Sequence, residues 1–154
     1  MSYFALIKSL IIIFIANIIE SYLAPIMIKA YINIPITFLI FSYMIYKSSL
    51  NISAIYAFLF GIYVDFISDS PIGLNASLFL MMAYFVNSYS NTFKLFSFIQ
   101  ICIFFSAASI FYIGFNQLFT NLNNFSYLVL FTSLIFNSFL FIIIAMLRFY
   151  LPFK

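Results

Sequence analysis

The chain has 154 residues, of which 67% are hydrophobic and only 6% are charged, with six Lys or Arg against three Asp or Glu. A soluble globular domain carries about 25% charged residues, so nine charges are too few to cover a surface in water, and a water-soluble enzyme is excluded. The chain has no histidine and a single cysteine, which excludes a disulfide framework, a Cys/His zinc site and histidine-based acid–base chemistry. The net charge of +3 is scattered along the chain, so no nucleic-acid partner is indicated.

Polar, charged and proline positions divide the chain into six apolar segments. A membrane-spanning helix uses about 20 residues, so six such helices occupy nearly the whole chain and leave no room for a soluble domain. The sequence therefore predicts an all-α membrane protein, with one domain that is a compact bundle of about six transmembrane helices. The predicted helices cover approximately residues 3–24, 32–46, 50–67, 74–90, 95–119 and 127–147.

Several segment ends follow from local sequence. Pro25 is expected to end the first helix, and the turns are expected at 47–49, 68–71 and 120–124. The second and third segments are near or below the length that spans a bilayer comfortably. In an alternative with five spans, one of these two segments is fused with its neighbour or lies outside the membrane. The two termini would then lie on opposite sides.

The basic residues predict the orientation, because cytoplasmic turns of membrane proteins are enriched in Lys and Arg. With a cytoplasmic N-terminus and six spans, only Lys29 lies on the outer side, together with all three acids. A five-span chain would scatter these charges, so both termini are predicted to be cytoplasmic. The five basic residues on the cytoplasmic side are then Lys8, Lys47, Lys94, Arg148 and Lys154.

The first helix carries a stripe of polar and small residues at offsets of three, four and seven, which places them on one helical face. They are Asn17, Glu20, Ser21 and Ala24. Such a stripe faces protein rather than lipid, because unsatisfied polar groups are costly in hydrocarbon. One interpretation is a face that docks a partner helix or lines a ligand site. The favoured alternative is internal packing, with Glu20 reaching the outer headgroups.

Two later helices carry similar polar positions. Ser106, Ser109 and Asn116 share a face of the fifth segment, and Ser133 and Asn137 are four residues apart on the sixth. Small and polar residues let membrane helices approach closely and share side-chain hydrogen bonds. This pattern predicts contacts that assemble the bundle, and it is only a weak indication of a substrate path.

The densest polar feature is the stretch 61–75, around the turn between the third and fourth helices. Gly61 and Asp65 lie one turn apart, so a helix packed at Gly61 would lie beside the Asp65 carboxylate. Asp69 or Ser70 is expected to cap the next helix, with Pro71 at an early helical position. Gly73 is expected to allow a close backbone approach.

Two interpretations of this stretch stay open. An aspartate at the end of a membrane helix is a functional candidate, and Lys29 is the only cation on its predicted side. The alternative is a salt-bridged, capped turn between two helices. An intramembrane aspartyl protease is rejected, because its two aspartates must lie on different helices and the Gly-x-Gly-Asp signature is missing. No pattern indicates a catalytic group, a cofactor or a metal.

Gly61-x-x-x-Asp65, followed by Ser68-Asp69-Ser70-Pro71-x-Gly73-Leu74 and another apolar helix, resembles the core motif of the rod-shape-determining MreD family. The resemblance covers nearly the whole chain: a first helix ending at Pro25, a second entered through Asn33-Ile34-Pro35, then the motif and further helices. The chain departs from the family pattern in having Pro35-Ile36 where an acidic residue often follows the proline. Its cytoplasmic turns also carry fewer basic residues than those of many members.

The resemblance implies a non-enzymatic multi-pass protein of the bacterial inner membrane that helps to maintain rod shape. Its implied direct partner is MreC, and through MreC it would connect to MreB, to the RodA glycosyltransferase and to the elongation-specific penicillin-binding transpeptidase. The helical architecture of the family is also similar to that of substrate-binding subunits of energy-coupling-factor vitamin transporters, which gives the alternative function. Whether the chain forms a homodimer stays open.

Overall fold

The computed structural model describes residues 3–47, 54–120 and 125–150. Within these residues every element of regular secondary structure is a helix, which confirms the predicted all-α class. The seven helices are α1 (Tyr3–Lys29), α2 (Ile36–Lys47), α3 (Ala54–Ile67), α4 (Leu74–Ser88), α5 (Ser90–Leu95), α6 (Phe98–Thr120) and α7 (Tyr127–Tyr150). The predicted turns at 48–49 and 121–124, residues 50–53 of the third predicted helix, and the tail at 151–154 lie outside the described residues.

The first helix does not end where the sequence predicts. α1 continues through Pro25 and ends at Lys29, whereas Ala24 was the expected last residue. A proline inside a helix removes one backbone hydrogen bond, and membrane helices tolerate this loss when neighbouring groups satisfy the freed carbonyl. The next helix begins at Ile36, directly after Pro35, rather than at residue 32.

Helix α2 lies at the centre of the fold and packs against α1, α4 and α6. Its aromatic side chains form the middle of the core. Phe41 is fully buried and stacks on Phe79 of α4 with ring centroids 4.2 Å apart, and Phe38 stacks on Tyr112 of α6 at 4.5 Å. Stacked aromatic pairs bury large apolar areas with specific geometry, so α2 fixes the positions of α4 and α6.

The predicted polar faces of the later helices meet as expected. Asn137 of α7 donates from Nδ2 to Ser109 Oγ of α6 at 3.1 Å, and both residues are fully buried. The loop between α1 and α2 is attached to α7, because the backbone N–H of Asn33 donates to Ser133 Oγ at 2.8 Å. These hydrogen bonds confirm that Ser109, Ser133 and Asn137 help to assemble the bundle, whereas the described bonds of Ser106 and Asn116 stay within α6.

Among the described residues, two helical stretches are long and apolar enough to cross a membrane, Ile7–Lys29 and Phe98–Thr120. The acidic residues lie toward one end of the fold. Glu20, Asp65 and Asp69 lie at the end where α1, α3 and α6 run into their connections, called here the acidic end. At the opposite end, an edge-on contact between the rings of Tyr46 and Phe93 brings the end of α2 beside α5, which carries the exposed Lys94.

Candidate functional site

Asp65 lies near the end of α3 and is only 1% exposed. Its carboxylate accepts four hydrogen bonds, three of them from backbone amides at the start of α4. The donors are Ser70 Oγ at 2.8 Å, Gly73 N at 2.8 Å, Asn75 N at 2.9 Å and Ala76 N at 3.4 Å. The first amides of a helix lack partners within the helix and carry a partial positive charge. Asp65 therefore caps α4 from the preceding helix.

The sequence predicted the wrong capping residue for α4. The N-cap position of α4 is Gly73, which has no side chain to cap with. Asp69 and Ser70 precede this position by several residues because α4 begins only at Leu74, and the exposed Pro71 lies in the turn before the helix rather than inside it. Ser70 contributes indirectly, by donating its hydroxyl to Asp65.

Gly61 and Gly73 serve different purposes. A Cβ on Gly61 would lie 2.2 Å from the Cα of Ala76, far inside van der Waals contact, so α3 and α4 cross backbone to backbone at this point. The expected packing of a helix at Gly61 is thus confirmed. Gly73 was expected to permit a close approach, but a Cβ there would meet nothing within 4 Å. Its φ of +98° is the reason for glycine, because side chains disfavour that conformation.

A second layer of hydrogen bonds surrounds the cap. Asn75, which is 1% exposed, donates from Nδ2 to Ser70 Oγ at 3.0 Å and accepts at Oδ1 from the hydroxyl of Tyr112. The sequence did not single out either residue. An asparagine directly after the motif was the available signal for Asn75, whereas Tyr112 lies 37 residues further along and only the fold brings it there.

Glu20 of α1 caps α2 in the same way that Asp65 of α3 caps α4. Its Oε2 accepts the backbone N–H of Thr37, in the first turn of α2, at 2.8 Å. Each acid on α1 and α3 therefore binds the N-terminus of the helix that follows it. The salt bridge considered from the sequence is replaced by these caps: the described bonds of Asp65 come from uncharged groups, and Lys29 is exposed.

The stripe on α1 is divided between the inside and the outside of the fold. Asn17 is 3% exposed and donates from Nδ2 to Ser68 Oγ, in the turn after α3, at 2.9 Å. With Glu20 bound to α2, both residues have partners inside the chain, as the internal-packing interpretation expects. Ser21 is exposed and donates its hydroxyl to the Asn17 carbonyl, and Ala24 is half-buried. The partner-face hypothesis therefore remains open only for Ser21 and Ala24.

These groups border a cavity of about 220 Å³ at the acidic end. Residues of α1, α3, α4 and α6 and of two connections line it, and they include Glu20, Asp69 and Asn116. In the part of the chain that the structure describes, no lysine or arginine lines this cavity. Nor do three or more acidic or cysteine side chains there come together as a metal site would require. The arrangement can accept hydrogen bonds and attract positive charge.

Both carboxyl oxygens of Asp65 are engaged by α4, so this residue is a structural joint with no free lone pair directed at a substrate. The cavity beside it is bordered by Ser70 and Asn75, but Asp65 itself does not line it. The candidate site thus has two parts, a closed joint between α3 and α4 and an adjoining open cavity. No protein-family model, curated protein or solved structure shows significant similarity to this chain.

Proposed function

We propose that this chain is a non-enzymatic scaffold of the MreD type in the bacterial inner membrane. One observation carries the proposal: the residues of the motif converge on a single joint. Gly61 brings the two helices into backbone contact, Asp65 caps α4, and Gly73 supplies the left-handed turn that the cap requires. A carboxylate whose oxygens are both engaged in capping a helix suits a fixed structural role better than proton transfer.

The same proposal includes six membrane spans with both termini in the cytoplasm. Many large apolar side chains are exposed on the helices, such as Ile11 and Ile15 on α1 and Phe131 and Phe139 on α7. Exposure of this kind is costly in water and favourable in hydrocarbon. Six spans with alternating direction, formed by every helix except the short α5, would place the acidic end outside and Lys94 inside, in accord with the preference of Lys and Arg for cytoplasmic turns.

A scaffold with so little chain outside its helices can hold a partner only through lipid-facing surfaces and short turns. Helix association in lipid depends on close packing, with hydrogen bonds worth only about 0.6 kcal/mol each. An extended, rigid seam is therefore needed. The joint at Asp65 fixes the angle between α3 and α4, and it thereby shapes the surface formed by exposed side chains of the pair, including Phe58, Leu59 and Phe85.

The partners in this proposal are those that the family resemblance implies. MreC would contact the chain directly, and MreB, RodA and the elongation-specific transpeptidase would be connected through MreC. The chain would then link cytoplasmic filaments to peptidoglycan synthesis along the side wall.

Purification of the tagged chain from native membranes in mild detergent tests the scaffold. We expect MreC to be retained, and depletion of the chain should convert rod-shaped cells to round ones. A matched purification of the Gly61→Leu variant, in which the α3–α4 crossing cannot form, should lose MreC. Normal rod shape without the chain, or no MreC in the wild-type preparation, would contradict the proposal.

A second candidate is a substrate-binding membrane subunit of a vitamin or small-molecule transporter. The observation that favours it is the polar cavity of about 220 Å³ at the acidic end. This candidate requires saturable uptake of a small molecule that depends on the chain, together with an energy-coupling partner in the purified complex. The scaffold requires neither.

A further inference from the structure

The cavity at the acidic end contains hydrogen-bond acceptors that the described residues do not use. Asn17 lines the cavity and is 3% exposed, and its Oδ1 is buried with no hydrogen-bond partner in the described part of the chain. Glu20 lines the cavity one helical turn further along, and its carboxylate accepts one described bond, from the Thr37 N–H. A carboxylate can accept about four hydrogen bonds, so most of its capacity is unfilled.

Three of the hydrogen-bond donors around the cavity are, in contrast, already engaged. The amide Nδ2 of Asn17 donates to Ser68, the Ser70 hydroxyl donates to Asp65, and the Tyr112 hydroxyl donates to Asn75. The capacity left unfilled at Asn17 Oδ1 and at the Glu20 carboxylate is on the acceptor side. A ligand that matches it must supply N–H or O–H groups.

The charge of the lining favours a positively charged ligand. Glu20 and Asp69 both border the cavity, and no lysine or arginine of the described chain does. A volume of about 220 Å³ is below the range of roughly 300–1,000 Å³ that holds drug-sized ligands. The cavity therefore suits a small group that is positively charged and rich in hydrogen-bond donors.

We propose that this cavity binds a primary ammonium group, with Glu20 as its counter-ion and Asn17 Oδ1 as an additional acceptor. The ammonium can come from a small soluble amine or from the headgroup of phosphatidylethanolamine. The cavity lies at the ends of α3 and α6, where a membrane-spanning bundle meets lipid headgroups. The inference goes beyond the scaffold role, because binding of an ammonium group neither requires nor excludes a protein partner.

Two probes with the same charge separate an ammonium site from simple charge attraction. Ethanolamine has an ammonium with three N–H donors, whereas the quaternary nitrogen of choline has none. Calorimetric titration of the purified full chain in detergent, at fixed ionic strength, measures both affinities. The lipid source is tested by reconstitution into nanodiscs of phosphatidylethanolamine or phosphatidylcholine, followed by native mass spectrometry of the lipids that the chain retains.

The variant Glu20→Gln removes the charge while its amide oxygen can still accept the Thr37 N–H, so the cap on α2 is preserved. The matched control is Thr92→Lys, an exposed position on α5 that changes the net charge by the same +1 away from the cavity. If Glu20→Gln does not fold, Asp69→Asn at the exposed rim replaces it.

We expect an ammonium probe to bind saturably, at least tenfold more tightly than its quaternary counterpart. Affinity should fall at least tenfold in Glu20→Gln, about threefold in Asp69→Asn, and remain unchanged in Thr92→Lys. Binding of free ethanolamine identifies a soluble amine, and retention of phosphatidylethanolamine alone identifies the lipid headgroup. Equal binding of the quaternary probes, wild-type affinity in the acid variants, or no binding of either ammonium probe would overturn the proposal.

Discussion

The backbone of Ala76 lies so close to Gly61 that a Cβ at position 61 would come within 2.2 Å of the Ala76 Cα and 2.5 Å of its amide nitrogen. Both neighbouring atoms belong to the main chain, so they cannot yield by rotating a side chain. The amide of Ala76 also donates to Asp65, one helical turn after Gly61. The close contact between the α3 and α4 backbones and the capping of α4 therefore involve the same residue, Ala76.

Gly61→Ala is predicted to separate α3 from α4 and to weaken the cap at the same time. Overpacking of a tight contact costs about 1–3 kcal/mol of stability. For Gly61→Ala the loss of stability should lie at or above the upper end of this range, because main-chain atoms must move. Thermal unfolding of the purified chain in detergent measures the effect. Gly114→Ala is the control, since its Cβ would meet only Leu130 methyl groups at 3.7 and 3.8 Å. Equal stability of the two variants would show that the close crossing is unimportant.

Asp65→Asn is predicted to destabilise the protein much more than Asp69→Asn. An asparagine keeps one acceptor oxygen and turns an NH₂ group toward amides that also donate, so it leaves buried donors unsatisfied at about 1–3 kcal/mol each. Asp69 is exposed, so its replacement should change the free energy of unfolding by less than about 0.5 kcal/mol. Under the proposed scaffold function, membrane levels, retention of MreC and cell shape should follow the same order. Wild-type behaviour of both variants would refute the role assigned to Asp65.

Gly73→Ala is predicted to cost about 1–2 kcal/mol, because its φ of +98° disfavours any Cβ although no atom blocks one. Asparagine tolerates left-handed conformations better than alanine, so Gly73→Asn should retain part of the lost stability. Comparison of the unfolding temperatures of both variants separates conformational strain from steric conflict. Equal losses for alanine and asparagine would argue against strain as the cause.

Tyr112→Phe is predicted to destabilise the joint by about 1–3 kcal/mol, since it leaves the buried Oδ1 of Asn75 without its donor. The aromatic ring at position 112 should still stack on Phe38 in the Tyr112→Phe variant. Tyr84→Phe is a suitable control at an exposed position of α4. If the two variants unfold alike, the hydroxyl of Tyr112 contributes nothing to the joint.

The proposed orientation predicts the location of reporter fusions. Fusions at Lys47, Lys94 and Lys154 should be active only as cytoplasmic reporters, and fusions near Asp69 and Asn123 only as external ones, because Lys and Arg favour cytoplasmic turns. Paired enzymatic reporters that function on opposite sides of the membrane provide the measurement. An external C-terminus would support the alternative with five spans.

The sequence predicted those features that depend on local patterns. Apolar segments bounded by polar residues located six of the seven helices but missed the short α5, which occupies the break predicted between residues 90 and 95. The one-turn spacing of Gly61 and Asp65 correctly placed both on the face that meets α4. The offset of Ser133 and Asn137 likewise predicted polar contacts between α6, α7 and their neighbours. Periodicity of this kind identifies which face of a helix is buried.

Periodicity does not identify what a buried face meets. The bond from Tyr112 to Asn75 joins residues 37 positions apart, and the bond from Thr37 to Glu20 depends on how α2 packs against α1. Local rules also assumed that a cap lies directly before its helix, which led to Asp69 and Ser70 instead of Asp65. Pro25 was taken to end α1, although a missing backbone donor need not interrupt a helix whose freed carbonyl finds another partner.

The caps formed by Glu20 and Asp65 have a consequence for biogenesis. Each of these carboxylates accepts hydrogen bonds from main-chain N–H groups at the start of the next helix, at a sequence separation of 17 for Glu20 and Thr37 and of 8 to 11 for Asp65 and its amide partners. The pairs α1–α2 and α3–α4 are thus each synthesised with main-chain donors that mask their own carboxylate. In the proposed membrane arrangement, such a hairpin can leave the translocon for the lipid phase as soon as its second helix is synthesised, before any later segment exists.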